Sequence, residues 1–279
     1  MKKTTFALLI SIFIPIFVIN SQDIKSSPPR NKPLVEINVN SSFNYALFSL
    51  SGSGNLKEFW DFKNYGVSSG FGSNAEVKLG VLSTRMMQLK IHMMVGYSHF
   101  SNDDSKAYTV GWADLGWPYK SNPNSNIAFG PIDTAGTSYL RLNMPNIGFG
   151  LECAVFTDRD NKSSFNFGVD FTGTLITGRI YETIANSKES YNTINPSLRF
   201  GAGINIMYSY RFDSWVGFNV GTRFALPNLF GKTSEMTDQS GYISLLDDSN
   251  IALNPRLTSK RTMGYFQLFG GIAFYLGRM

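Results

Sequence analysis

Leu198-Arg199-Phe200-Gly201-Ala202-Gly203-Ile204-Asn205-Ile206 alternates without a fault. The apolar parity runs on to Tyr208 and Tyr210, while Arg199, two glycines and Asn205 take the other. Successive side chains of a strand point to opposite faces, so this stretch predicts a strand with one greasy and one polar side. Working outward, the same period recurs seven more times. The first strand sets Val35, Ile37, Val39, Phe43 and Tyr45 against Glu36, Asn38, Asn40, Ser42 and Asn44. The second, about Gly70 to Val81, sets Phe71, Ala75, Val77 and Leu79 against Asn74, Glu76 and Lys78. The third, about Gln88 to Phe100, sets Leu89, Ile91, Met93, Val95 and Tyr97 against Lys90, His92 and Gly96.

The fourth strand, about Ser138 to Val155, changes phase. Leu140, Leu142 and Met144 are apolar at even positions, then Ile147, Phe149, Leu151, Cys153 and Val155 at odd ones. A one-residue bulge at Pro145-Asn146 would keep all of them on one face, and proline inside strands is confined to bulges and edges. The fifth sets Phe165, Phe167, Val169 and Phe171 against Asn166, Gly168, Asp170 and Thr172. The seventh sets Val216, Phe218, Val220 and Phe224 against Gly217, Asn219, Gly221 and Arg223; the eighth sets Phe266, Leu268, Ile272, Phe274 and Leu276 against Gln267 and Gly271. The sixth is the stretch quoted first.

The connections sort by parity. Ser83–Met87, Thr157–Ser163 and Phe212–Ser214 are short; Phe48–Ser69, Ser101–Thr137, Thr177–Pro196 and Pro227–Thr262 are long. A transmembrane β-barrel has short periplasmic turns and long outer loops. A soluble sandwich also uses many alternating strands, but its strands are usually about 5–6 residues and nothing in it sorts loops by side. The expected fold is therefore all-β: an up-and-down antiparallel transmembrane barrel of about eight strands. An even count places both ends of the barrel on the periplasmic side.

Composition agrees. Aromatics are 14% of the 279 residues and charged residues only 16%, which suits an exterior that meets lipid. The net charge is +5, and losing Lys2 and Lys3 with a leader lowers it by two. That mild surplus, without a basic cluster, gives no case for nucleic acid. Cys153 is alone, which excludes an internal disulfide, and two histidines with one thiol argue against a structural metal site. No cofactor is expected.

Lys2-Lys3 followed by apolar Phe6–Ile19 reads as a signal peptide over residues 1–21, cleaved after Ser21. Residues 22–33, with Pro28, Pro29 and Pro33, read as an extended periplasmic leader. Residues 34–279 are the barrel. No stretch approaches the length of a membrane helix.

The last strand ends Gly271-Ile272-Ala273-Phe274-Tyr275-Leu276. This resembles the C-terminal signal of bacterial outer-membrane barrels, which implies the barrel-assembly machinery as a partner. The terminal phenylalanine of that pattern is replaced by Gly277-Arg278-Met279. In pattern and topology the mature chain resembles the small OmpA/OmpX-like group of eight-stranded barrels, which implies a cell outer-membrane location among phospholipid and lipopolysaccharide.

An eight-stranded barrel has an interior just wide enough for its own side chains. The inward parity carries Glu36, Glu76, Glu152 and Asp170 with Lys78, Lys90, Arg199, Arg223 and His92. An unpaired charge in such a space is costly, so the expectation is an ion-paired plug rather than a pore. Inward glycines, among them Gly150, Gly203 and Gly221, make room for the long side chains. Outward Tyr45, Tyr97, Phe165, Tyr208, Tyr210, Phe224, Phe266 and Phe274 read as interfacial girdles, with Trp215 and Tyr275 inward near the short-turn rim.

Two alternatives stay open. His99-Phe100-Ser101-Asn102 resembles the sites of outer-membrane lipid A deacylases and phospholipases. That resemblance implies His99 as base, Ser101 as nucleophile and Asn102 beside the oxyanion. Residues two apart on a strand share a face, so the imidazole can serve the hydroxyl. The deacylase pattern wants a carboxylate about twelve residues on, where Ala113 precedes Asp114. The other alternative is a pore or transporter of 10–12 strands, using Tyr108–Trp112 and Tyr242–Leu246. The leading reading is a closed, non-catalytic barrel with a structural or recognition role. Its outer loops carry Trp112, Trp117, Tyr119, Tyr242 and Asp247-Asp248 for a protein or glycan ligand.

Overall fold

The computed structural model describes residues 32–48, 67, 69–101, 106–111, 133–184, 190–230, 242–243 and 263–277. The signal peptide, most of the leader, Asn102, Ala113, Asp114, the loop aromatics Trp112, Trp117 and Tyr119, and Asp247-Asp248 lie outside the described residues. Ten strands are present among them: β1 Val35–Phe48, β2 Ser69–Ser83, β3 Met87–Ser101, β4 Lys106–Gly111, β5 Asp133–Phe156, β6 Ser163–Ile184, β7 Ser190–Arg211, β8 Val216–Phe230, β9 Tyr242–Ile243 and β10 Met263–Leu276.

Eight of them close a ring. β1 pairs with β2 and β10, β3 with β2 and β5, and β6, β7, β8 and β10 follow in turn, every pairing antiparallel. The seam is long: β1 meets β10 from Val35↔Leu276 to Phe48↔Met263. β4 pairs only with the extension of β5, and β9 runs parallel to β7 for two residues. The described parts of the segments that could have widened the barrel, Tyr108–Gly111 and Tyr242–Ile243, thus form strands, but they pair outside the ring and do not widen it.

The radial pattern is that of a water-soluble protein turned inside out. Phe71 is 71% exposed and Val95 63%, whereas Lys78 and Glu152 are each 1% exposed. An apolar exterior around a charged interior is stable only with lipid outside. β1–β3, β8 and β10 are 14–15 residues long, enough to cross a bilayer at a tilt. β5, β6 and β7 reach 22–24 residues. The stretch Thr177–Pro196, read from sequence as a long loop, is therefore mostly the far end of a projecting hairpin. Strand pairing also continues past the expected ends at Asp133 and Phe230.

β5 departs from the sequence reading at Pro145. Its register stays constant against both neighbours, with Tyr97 opposite Pro145, Asn143 opposite Thr177 and Asn146 opposite Thr174. Proline has no N–H to donate, and the β5–β6 pairing passes over Met144 and Pro145 without inserting a residue. There is no bulge, so Leu140, Leu142 and Met144 point into the lumen and are fully buried. The bulge falls at a different proline. Ile176 pairs with Ser197 but Gly178 with Ile194, leaving one extra residue on β7 around Asn195-Pro196. A second irregularity brackets Pro227, where Phe200↔Phe230 is followed by Ala202↔Leu226. Proline marks these two breaks in pairing, whereas a third shift, between Gly80 and Leu82 on β2, involves none.

Outside, rings cluster at the short-turn end. Tyr210, Phe212 and Phe218 have centroids 5.4–6.0 Å apart, and Phe165 meets Tyr208 at 5.3 Å. Tyr275 is buried in the lumen, as its parity requires. Trp215 is not inward: it is 56% exposed and stacks on outward Phe274 at 6.4 Å. It belongs to the turn Phe212–Trp215, where strand alternation no longer sets direction.

Candidate functional site

All nine charged or ionisable residues of the inward set are buried. Glu36 on β1, Lys78 and Glu76 on β2, Lys90 on β3 and Glu152 on β5 form one cluster. Lys78 Nζ lies 2.6 Å from Glu152 Oε2, 3.3 Å from Glu76 Oε2 and 4.0 Å from Glu36 Oε1. Lys90 Nζ lies 2.6 Å from Glu36 Oε2 and 3.6 Å from Glu152 Oε1. The two ammonium groups thus bridge carboxylates from three strands. The second cluster is His92, Asp170 and Arg223. Arg223 Nη2 is 2.8 Å from Asp170 Oδ2, and His92 Nε2 bonds Asp170 Oδ1. Arg199, across from Thr174, donates to the Leu198 carbonyl at 3.1 Å.

Glycine makes the second cluster possible. Gly150 stands between His92 and Asp170 in the register, so nothing separates the two side chains. A Cβ there would fall on the Val169 carbonyl oxygen and 2.9 Å from His92 Cε1. At Gly203 a Cβ would lie 3.0 Å from Arg223 Nε.

Above the charges, toward the long loops, the lumen turns apolar. Phe100, Leu140, Leu142, Met144 and Ile176 are fully buried, and Phe100 meets Tyr265 edge-on at 5.4 Å across the interior. Sequence reasoning misses this layer because it assigns Leu140–Met144 to the lipid face. The phase change at Pro145 is the signal that carries it: without a bulge, a parity switch means a change in what fills the lumen.

Below the charges, the end of the leader closes the other side. Lys32 is buried, where its ammonium bonds the Thr84 and Met87 carbonyls and sits 4.5 Å from the Phe156 ring centre. Gln88 Nε2 donates to the Pro33 carbonyl at 2.8 Å. Lys32 and Pro33, the end of the stretch read from sequence as an extended leader, are therefore docked. Burial, with the nearby charge of Lys90, pushes the Lys32 amine down to about 8.

In the turn between β5 and β6, Asp158 accepts the backbone N–H groups of Ser163 at 2.9 Å and Lys162 at 3.0 Å. Partial burial opposes its charge, but those donors hold its carboxyl below the usual carboxylate range. A depressed folded pKa stabilises the turn above the unfolded value of about 4 and is lost as pH falls through the folded one. Protection against amide exchange at Ser163 and Lys162, relative to the intrinsic rate, should fall below about pH 4, and Asp158→Ala should cost about 1 kcal/mol at neutral pH with that acid dependence gone. Unchanged exchange in the variant would remove Asp158 from the account.

The second candidate site is outside the barrel wall, at the long-loop end. His99 and Ser101 share the outward face of β3. Their cross-strand partners on β5 are Asn143 and Arg141. Asn143 Oδ1 receives the Tyr97 hydroxyl at 2.6 Å and stands 2.8 Å from His99 Nδ1. A carbonyl oxygen can only accept, so Nδ1 is the donor in this contact. A groove of about 420 Å³ opens here, lined by His99, Arg141, Asn143, Thr177, Arg179 and Tyr181 among others. The sequence points to His99 and Ser101 but not to Asn143, which is 44 positions away and becomes a neighbour only through the register.

No protein-family model matches the chain, and no curated protein is similar to it in sequence. Among solved structures it is similar to a major outer membrane protein from Thermus thermophilus, at 13% identity over 87% of this chain and 99% of that one, with a TM-score of 0.44. It is similar to Neisserial surface protein A at 10% identity over 87% and 97%, TM-score 0.40. For the N-terminal β-barrel domain of Pseudomonas aeruginosa OprF the values are 8%, 89%, 100% and 0.31.

Proposed function

We propose that the chain is an integral outer-membrane β-barrel whose sealed lumen makes it a rigid, non-conducting mount for the structures at its long-loop end. Its role on this reading is structural or recognition-based, with a protein or glycan as the ligand of the loops. The signal peptide delivers it to the envelope, and the last strand presents the pattern that the barrel-assembly machinery reads. The short turns and both ends of the barrel face the periplasm. The observation that carries the reading is the filled interior: ion-paired side chains at one level, apolar ones above, and Lys32 below. A conducting eight-stranded barrel would need a continuous polar path past Phe100, Leu142 and Met144. Purified protein in planar bilayers is expected to give no steady channel. A stable, salt-dependent conductance would overturn the proposal.

A second reading is favoured by the 2.8 Å contact between His99 and Asn143. An oriented imidazole two residues from a serine hydroxyl on one lipid-facing strand is the base, orienter and nucleophile arrangement of a serine hydrolase. The roles fall on Ser101 as nucleophile, His99 as base and Asn143 as orienter, with an acyl ester of a membrane lipid as substrate. Refolded protein incubated with phospholipid or lipopolysaccharide would release fatty acid, and Ser101→Ala or His99→Ala would lower the rate by about 10²-fold or more. No release above that of Ser101→Ala ends this reading and leaves the first intact.

A further inference from the structure

Arg141 on β5 and Arg179 on β6 are direct cross-strand partners on the outward face, and both are exposed. Directly opposed side chains stand about 5 Å apart at Cβ, so both guanidinium groups can reach one ligand. Arg141 is braced from the side, its guanidinium 5.2 Å from the centre of the Tyr181 ring. One rung nearer the short turns are His99, Asn143 and Thr177. The groove of about 420 Å³ runs between these two rungs.

The depth of this groove in the membrane says what surrounds it. His99 is twelve residues along β3 from Met87. At about 3.3 Å per residue and a tilt of about 40°, that is roughly 30 Å of height, the thickness of the hydrocarbon layer. The rungs just below it are lipid-facing: Val95, Ile147 and Leu175 are exposed. The groove therefore opens at the boundary where hydrocarbon gives way to head groups, on the side of the long loops. Two guanidinium forks at that depth match the oxygens of a phosphoryl group, which two forks can hold bidentately.

We propose that Arg141 and Arg179, with His99 beside them, bind the phosphoryl head group of an anionic lipid in the surrounding outer leaflet. The inference rests on the membrane orientation proposed above and is independent of catalysis. The lipid's acyl chains lie against Ile147, Phe149, Phe171 and Leu175, and its phosphate enters the groove from the side rather than from bulk water.

The test uses full-length protein refolded in phosphatidylcholine bilayers containing a minor fraction of phosphatidic acid, with retained lipid counted by native mass spectrometry. The wild type is expected to enrich phosphatidic acid at least tenfold over phosphatidylcholine. Arg141→Gln/Arg179→Gln should lose that enrichment, while Arg85→Gln/Arg159→Gln, which removes two arginines from the short turns, should keep it. Loss in both double variants would reduce the effect to general electrostatics and overturn the site. Equal enrichment in the groove variant would overturn it too. Displacement of the lipid by millimolar inorganic phosphate would show a site for the free anion and sink the lipid assignment. Heat-modifiable gel mobility separates these outcomes from failure to form the barrel, which would count against the orientation instead. Urea resistance provides a further reading. Phosphatidic acid should raise the midpoint of wild type and leave that of the groove variant unchanged. A midpoint raised equally by phosphatidic acid in the groove variant would overturn the site.

Discussion

Lys78→Met is expected to cost the barrel about 3–5 kcal/mol, because removing one member of a buried ionic cluster leaves its partners charged and unpaired. Methionine keeps much of the length and volume of lysine, so the loss is electrostatic. Glu36 and Glu152 would then share Lys90, at 2.6 Å and 3.6 Å, while Glu76 would lose its contact with Lys78. Urea unfolding in lipid vesicles, followed by the shift between folded and unfolded gel bands, reads the effect directly. Lys78→Met combined with Glu152→Gln should recover part of it, since one orphaned charge is removed along with its partner. A midpoint for the single variant within about 0.5 kcal/mol of wild type, the range of neutral surface changes, would mean that the cluster is solvated and the lumen wet. That result would undercut the sealed-barrel reading before any conductance was measured.

Gly150→Val should be the other severe change, although valine is the better strand former. Its Cβ would meet the Val169 carbonyl oxygen, which is backbone and cannot swing away, and would press on His92. Overpacking costs about 1–3 kcal/mol, and separating His92 from Asp170 adds the penalty of a broken buried pair. The expected total is about 3 kcal/mol or more, seen as a lowered urea midpoint and a smaller yield of refolded barrel. Gly173→Val is the matched control. It lies on the same sheet but faces outward, and its added Cβ would sit 3.6 Å from the Phe200 ring, an ordinary contact. Similar losses at both positions would show that the sheet is merely intolerant of side chains at glycine, whichever way they point.

The two sites are legible to different degrees. Glu36, Lys78, Lys90, His92, Glu152, Asp170 and Arg223 can be placed inside by parity alone, because a strand's period of two leaves only two faces to choose between. Which acid meets which base cannot be read that way. It depends on the stagger of neighbouring strands, such as Glu36 opposite Lys78 and His92 opposite Gly150. At the groove, His99 and Ser101 are visible because their spacing is local. Asn143, Arg141 and Arg179 are not, because no local pattern marks residues brought together across three strands.

Proline shows the same division. The sequence suggests a bulge at Pro145 only if every apolar residue faces lipid. The barrel instead accepts a proline between two paired strands and fills its upper lumen with Leu140, Leu142 and Met144. The bulge appears at Pro196, where the Ile194 side chain also turns inward and is buried. A parity rule tells two faces apart but does not say that the hidden one is polar throughout.

Alternation and the sorting of short and long connections were enough, from the chain alone, to indicate a membrane-spanning closed sheet of about eight strands and the charges consigned to its interior. These are consequences of side-chain direction and of the solvent on each face, and both act residue by residue. The ring's register, the partners of each ion, the apolar layer over them, the docked Lys32 and the paired arginines of the outer groove were decided by closure. Closing the ring fixes the offset of every strand against its neighbours at once, and no segment of the chain holds that information by itself.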